Sequence, residues 1–448
     1  MRFSVFWGGV TALLLFAGPV PASLAAADDE DACIHAAGDE KIAACTRAIN
    51  SGGWRGPGLA WAYNNRGIAY HDKGDLDRAI ADHSEAIRLD PKFAIAYVTR
   101  GIAYRDKRDF DRAIADYSEA IRLDPKDATT YVARGSAYYR KDDFDRAIAD
   151  YNEAIRLDAK DPTTYIARGS AYRRKGDFDR AIADYSEPIR LDPKDATAYV
   201  ARGGAYRDKG DFDRAIADYS EAIRINPKDT TTYVARGSAY RRKDDLDRAI
   251  VDYSEAIRLD PKDAAAYVAR GSAYRHKDDV DRAIADYSEA IRLNPKDVIT
   301  YVTRGRVYFY GGSVANAQAD FKQASELIPK NAYLALWHEL AERRNNVPSH
   351  LAEAAKQLDM TTWPAPVVRL FLGQMTPAGL LDAAQDADPE KAKRKVCEAN
   401  FYSGELALSQ VAKDEAVRLF RLAARDCRSA SAESESAKAE LKALGVAP

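Results

Sequence analysis

Proline stands at positions 91, 125, 193, 227, 261, 295 and 329, every interval being 34 residues or twice that, with Ala159 in the one vacant place. A fixed period constrains this chain more than any other feature. Each repeat must be one small supersecondary unit that buries its apolar face against copies of itself. Closing each unit two residues after the proline gives 60–93, 94–127, 128–161, 162–195, 196–229, 230–263, 264–297 and 298–331. Unit position 4 is Tyr in all eight (Tyr63 to Tyr301), position 8 is Gly (Gly67 to Gly305), position 11 is Tyr (Tyr70 to Tyr308) and position 20 is Ala (Ala79 to Ala317).

Within a unit the apolar spacing predicts two short helices. In 230–263, Tyr233, Val234, Gly237 and Tyr240 recur at helical spacing, and Leu246, Ala249, Ile250, Tyr253, Ala256 and Ile257 follow with the same period. Asp244 and Asp245 separate the runs and place carboxylates where they can cap the second helix. Pro261 is expected to end that helix, and Gly237 and Ala249 are small where two helix axes must approach. A hairpin of this kind cannot bury both faces alone, so neighbours must stack.

The pattern Tyr233, Gly237, Tyr240, Ala249, Tyr253, Ala256 and Pro261 closely resembles the tetratricopeptide repeat family, and the resemblance runs over residues 60–331. It implies an all-α, right-handed superhelical solenoid whose first helices line a concave groove that holds a peptide or helix of a partner protein. Two features depart from the family pattern, a recurring charge pair and a local proline. Position 7 is Arg in all eight units (Arg66, Arg100, Arg134, Arg168, Arg202, Arg236, Arg270, Arg304), and position 23 is Asp in all eight (Asp82 to Asp320). Charges matched at fixed phase predict a ladder of partly buried pairs, within or between hairpins. Pro188 also stands inside an expected second helix, where proline kinks or costs about 3 kcal/mol.

By the family's geometry, positions 2, 5, 9, 12 and 13 of the first helix face the groove. Position 5 gives an apolar track through Val98, Val132, Ile166, Val200, Val234 and Val268, and position 9 is small at Ser136, Ser170, Gly204, Ser238 and Ser272. Position 12 carries Arg105, Arg173, Arg207, Arg241 and Arg275, with Arg140, Arg174 and Arg242 at position 13. An apolar floor beside a guanidinium row suits an extended, acidic or carboxylate-bearing protein segment. Asp106 and Asp208 are placed to neutralise some of that row. Nucleic acid is not the expected partner: 67 Lys+Arg against 69 Asp+Glu leave a net charge of -2, and most tyrosines fall at helix-packing phases.

Outside the repeats, Arg2, the apolar run 3–20 and Ala25-Ala26-Ala27 before an acidic stretch read as a signal peptide over 1–27. Its cleavage near Ala27 would leave a mature chain without a transmembrane span, in the periplasm or secreted from a bacterium. Residues 28–59 are expected to form an N-terminal capping hairpin, 332–396 an irregular helical segment, and 397–448 a repeat-like hairpin with a capping helix. The four cysteines allow three pairings, and their repeat phases favour Cys33 with Cys45 and Cys397 with Cys427, as staples of the terminal hairpins. No catalytic, metal or cofactor motif emerges. His338-Glu339-Leu340-Ala341-Glu342 lacks the second His of a zinc helix. The expected function is a non-catalytic adaptor of the cell envelope. The alternatives are a periplasmic scaffold of a polysaccharide-export or envelope-assembly machine, or an enzyme with its site in 332–396.

Overall fold

The computed structural model describes residues 24–427 and 432–447; the leader up to residue 23 lies outside them. The described residues are helical, in consecutive antiparallel pairs. The pair α1 (Leu24–His35) and α2 (Gly38–Asn50) precedes eight repeat hairpins. These are α3 (Pro57–Asp72) with α4 (Leu76–Leu89), α5 (Ala94–Asp106) with α6 (Phe110–Leu123), α7 (Ala128–Arg140) with α8 (Phe144–Leu157), and α9 (Pro162–Arg174) with α10 (Phe178–Leu191). They continue as α11 (Ala196–Lys209) with α12 (Phe212–Ile225), α13 (Thr230–Arg242) with α14 (Leu246–Leu259), α15 (Ala264–His276) with α16 (Val280–Leu293), and α17 (Val298–Tyr310) with α18 (Val314–Leu327). The helix α19 (Ala332–Arg344) follows, then short helices α20 (Leu351–Ala354), α21 (Ala365–Phe371) and α22 (Pro377–Ala383), and finally α23 (Pro389–Ser409), α24 (Lys413–Asp426) and α25 (Ala432–Ala443). Contacts divide the chain into two compact bodies, up to Ala205 and from Tyr206 onward.

Each hairpin is set by a few recurring choices. At unit position 15 the backbone turns left-handed, with φ of 79° at Gly74, 81° at Gly176, 58° at Asp142 and 63° at Asp244. Glycine and aspartate tolerate that region best. The next residue then donates its N–H back to position 11, as Asp245 does to the Tyr240 carbonyl at 3.0 Å, closing the first helix. The same Asp245 caps the second helix by accepting from the Arg248 N–H. Gly237 is glycine for contact: a Cβ there would come within 2.8 Å of the Tyr253 ring.

The arginine–aspartate ladder forms within hairpins. Arg236 donates from Nε and Nη2 to the two carboxylate oxygens of Asp252 at 2.8 and 2.7 Å. The same bidentate pairing joins Arg66–Asp82, Arg100–Asp116, Arg134–Asp150 and Arg168–Asp184 in the first body, and Arg270–Asp286 and Arg304–Asp320 in the second. The aspartates are buried. The third nitrogen reaches back one hairpin: Arg236 Nη1 donates to Ser220 Oγ at 3.0 Å, and Arg134 Nη1 to Ser118 Oγ at 3.0 Å. One side chain therefore fixes the hairpin and ties it to its predecessor. Lysines at position 14 add exposed ion pairs between neighbours, such as Lys141 with Asp111 and Lys277 with Asp247.

The proline inside a second helix is tolerated, and two other expectations change in detail. The helix α10 runs through Pro188 without interruption, the proline buried and its carbonyl accepting from Asp192 N–H at 2.8 Å. The helix α8 ends at Leu157, the same phase as its neighbours, although its unit carries Ala159. The proline is thus not what stops the second helix; an extended residue at position 31, Asp158 here and Asp260 in α14, does so. The boundary expected at 396/397 falls inside α23, which begins at Pro389 behind an Asp388 cap and is 21 residues long. The short helices before it pack into the largest core cluster, where Phe309, Phe321, Trp337, Phe371, Phe401 and Phe420 meet.

Two predictions follow from these contacts. Asp252→Ala leaves the Arg236 guanidinium without its carboxylate between helices and should cost about 3 kcal/mol, read as a lowered urea midpoint. Asp247→Ala, on an exposed pair, should cost less than about 1 kcal/mol. The second concerns His83, which replaces the position-24 tyrosine of six other units and is buried with Nδ1 3.0 Å from Asn64 Oδ1. Burial, with the charges of His71 and Arg100, holds its imidazole down at about 3. The unfolded chain therefore takes the proton first. Stability is intact above about pH 6.5 and falls as pH drops from there toward 3, by up to about 1.4 kcal/mol per unit. His83→Tyr should remove that part of the acid sensitivity in urea titrations at pH 7 and pH 4.5.

Candidate functional site

In the first body the apolar track lies in the joints between hairpins. Val98 packs against Ala113, Tyr117 and Ala137, Val132 against Ala147, Tyr151 and Ala171, and Ile166 against Ala181, Tyr185 and Ala205. Val200 is half-buried. The small residues at position 9 serve the core tyrosines: Ser136 and Ser170 Oγ lie 3.3 and 3.1 Å from the hydroxyls of Tyr151 and Tyr185. At Gly204 the missing side chain leaves room for Arg173, whose Nη1 would be 3.0 Å from a Cβ. Arg105 donates to Asp106 at 2.8 Å, and the same carboxylate meets His71 Nε2 at 2.9 Å. Burial works against this carboxylate, but hydrogen bonds from His71 and Arg105 hold it down at about 2. Arg140 is exposed at the end of α7, while Arg174 donates to Asp142 at 3.0 Å with its guanidinium 5.3 Å from the Phe144 ring centre. Arg174 thus engages the preceding hairpin's turn.

The second body repeats these placements. Val234 and Val268 are partly buried against the Tyr253 and Tyr287 clusters, and Ser238 and Ser272 accept from those tyrosine hydroxyls at 3.3 and 3.2 Å. Arg207 donates to Asp208 at 2.9 Å, and Arg242 sits 5.8 Å from the Phe212 ring centre. Arg241 is half-buried, and burial, with the charges of Arg275 and then Arg241, lowers the His276 imidazole.

At Arg275 the arginine row meets an occupant. The C-terminal helix α25 lies against the first helices of this body, with Arg275 Nη1 and Arg306 Nη2 at 3.6 and 3.8 Å from Glu435 Oε2. Arg306 Nη2 also donates to Ser436 Oγ at 3.1 Å, and its guanidinium rests 5.5 Å from the Trp337 ring centre. Further along α25, Arg344 of α19 donates to Glu440 at 2.8 Å and to Glu405 of α23 at 2.9 Å. The Arg344 guanidinium lies 3.9 Å over the Phe309 ring. Ser434, Ser436, Ala437 and Leu441 are fully buried, and Glu440 is 2% exposed. Arginines of three successive first helices thus bind one acidic helix rich in small residues.

Arg306, Arg344, Glu435, Ser436 and Glu440 were not among the residues expected from sequence. One signal was present: Arg306 occupies position 9, which is Ser or Gly in the five preceding units. A large cation among small residues marks a changed neighbour. Among the described residues no group of three or more His, Cys, Asp or Glu side chains is poised to hold a metal ion, and no helix is long and apolar enough to cross a membrane. The cysteines stand in disulfide-bonding positions in two pairs, Cys33 with Cys45 and Cys397 with Cys427, at Cα separations of 4.7 and 5.2 Å.

Among solved structures, MamA is 29% identical and covers 37% of this chain and 96% of its own, at a TM-score of 0.35. A tetratricopeptide repeat protein from Parabacteroides merdae is 20% identical over 55% of this chain and 98% of its own, at 0.46. YrrB, described as a TPR protein with an unusual peptide-binding site, is 21% identical over 41% and 95%, at 0.36. No curated protein matches the chain. The tetratricopeptide repeat signature matches residues 60–93, 98–162, 166–230 and 234–298. With its repeat phases, paired helices and these matched segments in agreement, the chain belongs to the tetratricopeptide repeat family.

Proposed function

We propose that this protein is a non-catalytic scaffold of the bacterial cell envelope, which holds an acidic segment of a partner protein against the first-helix arginines of its repeats. The observation that carries this reading is the seat of α25, where Glu435 and Ser436 meet Arg275 and Arg306. A carboxylate set beside guanidiniums, with small residues allowing close approach, is the chemistry that the rest of the row can offer an external segment. Arg207 and Arg241 occupy the same unit position as Arg275 in the two preceding units, and all three residues lie in the second body. Export is supported by the leader pattern over 1–27 and by cysteine pairs that suit an oxidising compartment.

A photo-crosslinker at position 207, used in cells, should capture a discrete protein partner. Arg207→Glu combined with Arg241→Glu should weaken recovery of that partner at least tenfold, and rising salt should weaken it in the unmodified chain. Undiminished capture by the charge-reversed protein would remove the arginine row from the reading. Export has its own check: the mature protein should fractionate with the periplasm or medium, begin near Asp28 and show no alkylatable thiol when denatured without reductant. Free thiols in that sample count against both cysteine pairs.

A further inference from the structure

The helix α25 packs mainly on α24, as an end cap does, and it also reaches first helices of the preceding hairpins. One side meets the core through Ala437 and Leu441. The same helix carries Glu435, Ser436 and Glu440 onto side chains of α15, α17 and α19, and buries Glu440. The fit is imperfect in two ways. Glu435 lies 3.6 and 3.8 Å from its arginines, beyond hydrogen-bond length, and its side chain is 40% exposed. At Arg344, two carboxylates share one guanidinium. Burial, and the nearby Glu440, push the Glu405 carboxyl well above its ordinary range, against the pull of Arg344. Two guanidiniums thus face one loosely held carboxylate at Arg275 and Arg306, and a better-placed acidic helix would improve the pairing there.

We propose that α25 is an internal occupant of the partner face, held on Arg275 and Arg306 until an acidic helix of a partner protein displaces it. This rests on the scaffold reading and narrows it. The partner segment is helical, carries a carboxylate beside a small hydroxyl residue as at Glu435 and Ser436, and has alanine or serine where the backbones approach, as at Ala437. A ligand bound in this way competes with a tethered one, so its apparent affinity is reduced by the fraction of chains in which the seat is closed.

The test uses the full chain and a fluorescent peptide with the sequence of residues 432–445. The Glu435→Lys chain, whose new cation is repelled by Arg275 and Arg306, should bind the peptide at least tenfold more tightly than the unmodified chain. Adding Arg275→Glu and Arg306→Glu should abolish that gain. Equal affinity of the unmodified and Glu435→Lys chains would overturn the proposal. A second measurement needs no variant: saturating peptide should speed hydrogen exchange of the α25 amides in the unmodified chain at least tenfold, and unchanged protection would likewise overturn it. Partner capture at position 207 that persists while α25 stays protected removes this inference and leaves the scaffold reading. Loss of that capture on its own removes the scaffold reading.

Discussion

A guanidinium held between two helices is the constraint on which this architecture rests. The position-7 arginine is flanked by tyrosine rings of its own helix, as Arg270 is by Tyr267 and Tyr274 at 5.7 and 6.0 Å. It spends two nitrogens on a buried aspartate and a third on the preceding hairpin's serine. Taking such a pair out of water costs several kcal/mol per ion, and only near-ideal geometry with further hydrogen bonds offsets it. An apolar pair of the same volume would match in stability but not in direction. The fork tolerates one separation and one rotation of the two helices, so it specifies the hairpin and its joint together.

The period made the paired helices legible, and the matched phases of Arg236 and Asp252 made their pairing legible too. What could not be read was the third contact. Ser220, at position 25, directly follows the buried Tyr219 at the edge of the stripe and reads as an ordinary polar surface residue. Only the stacked neighbour gives it a partner. The valine track shows the converse: Val132 reads as a groove floor from its place on the first helix, but the following hairpin advances far enough for Ala171 to cover much of it. The seat of α25 was out of reach for another reason. Arg306 and Ser436 are 130 residues apart, and the run Glu433-Ser434-Glu435-Ser436 has the composition of a solvated helix.

Where the repeat stops, so does its economy of contact. Beyond α18 the protein replaces a small, repeated packing set with one cluster of large aromatic rings, Trp337 lying 5.4 Å from Phe321 and 6.1 Å from Phe401. An end has no successor to cover its last face. The short helices around Trp363 and Leu380, together with the long α23, supply that cover with side chains instead of another copy. At the other end the first unit makes a different substitution, its His83 and Asn64 forming a polar knot with Thr99 of the next unit where six later units have a tyrosine ring.

The backward reach of each arginine to a hydroxyl has a consequence for how such a chain can change its length. Arg168 bonds Asn152 of the preceding unit, while Arg134 bonds Ser118 of the unit before that. Deleting residues 128–161 would bring Arg168 onto Ser118, a joint of the kind already present between its neighbours. Loss of that whole 34-residue block therefore leaves the joint between its neighbours chemically matched. The ends tolerate no such editing, because the arginines that receive α25 belong to particular units. The protein combines a middle that can be lengthened or shortened like a ruler with a terminus that is written only once.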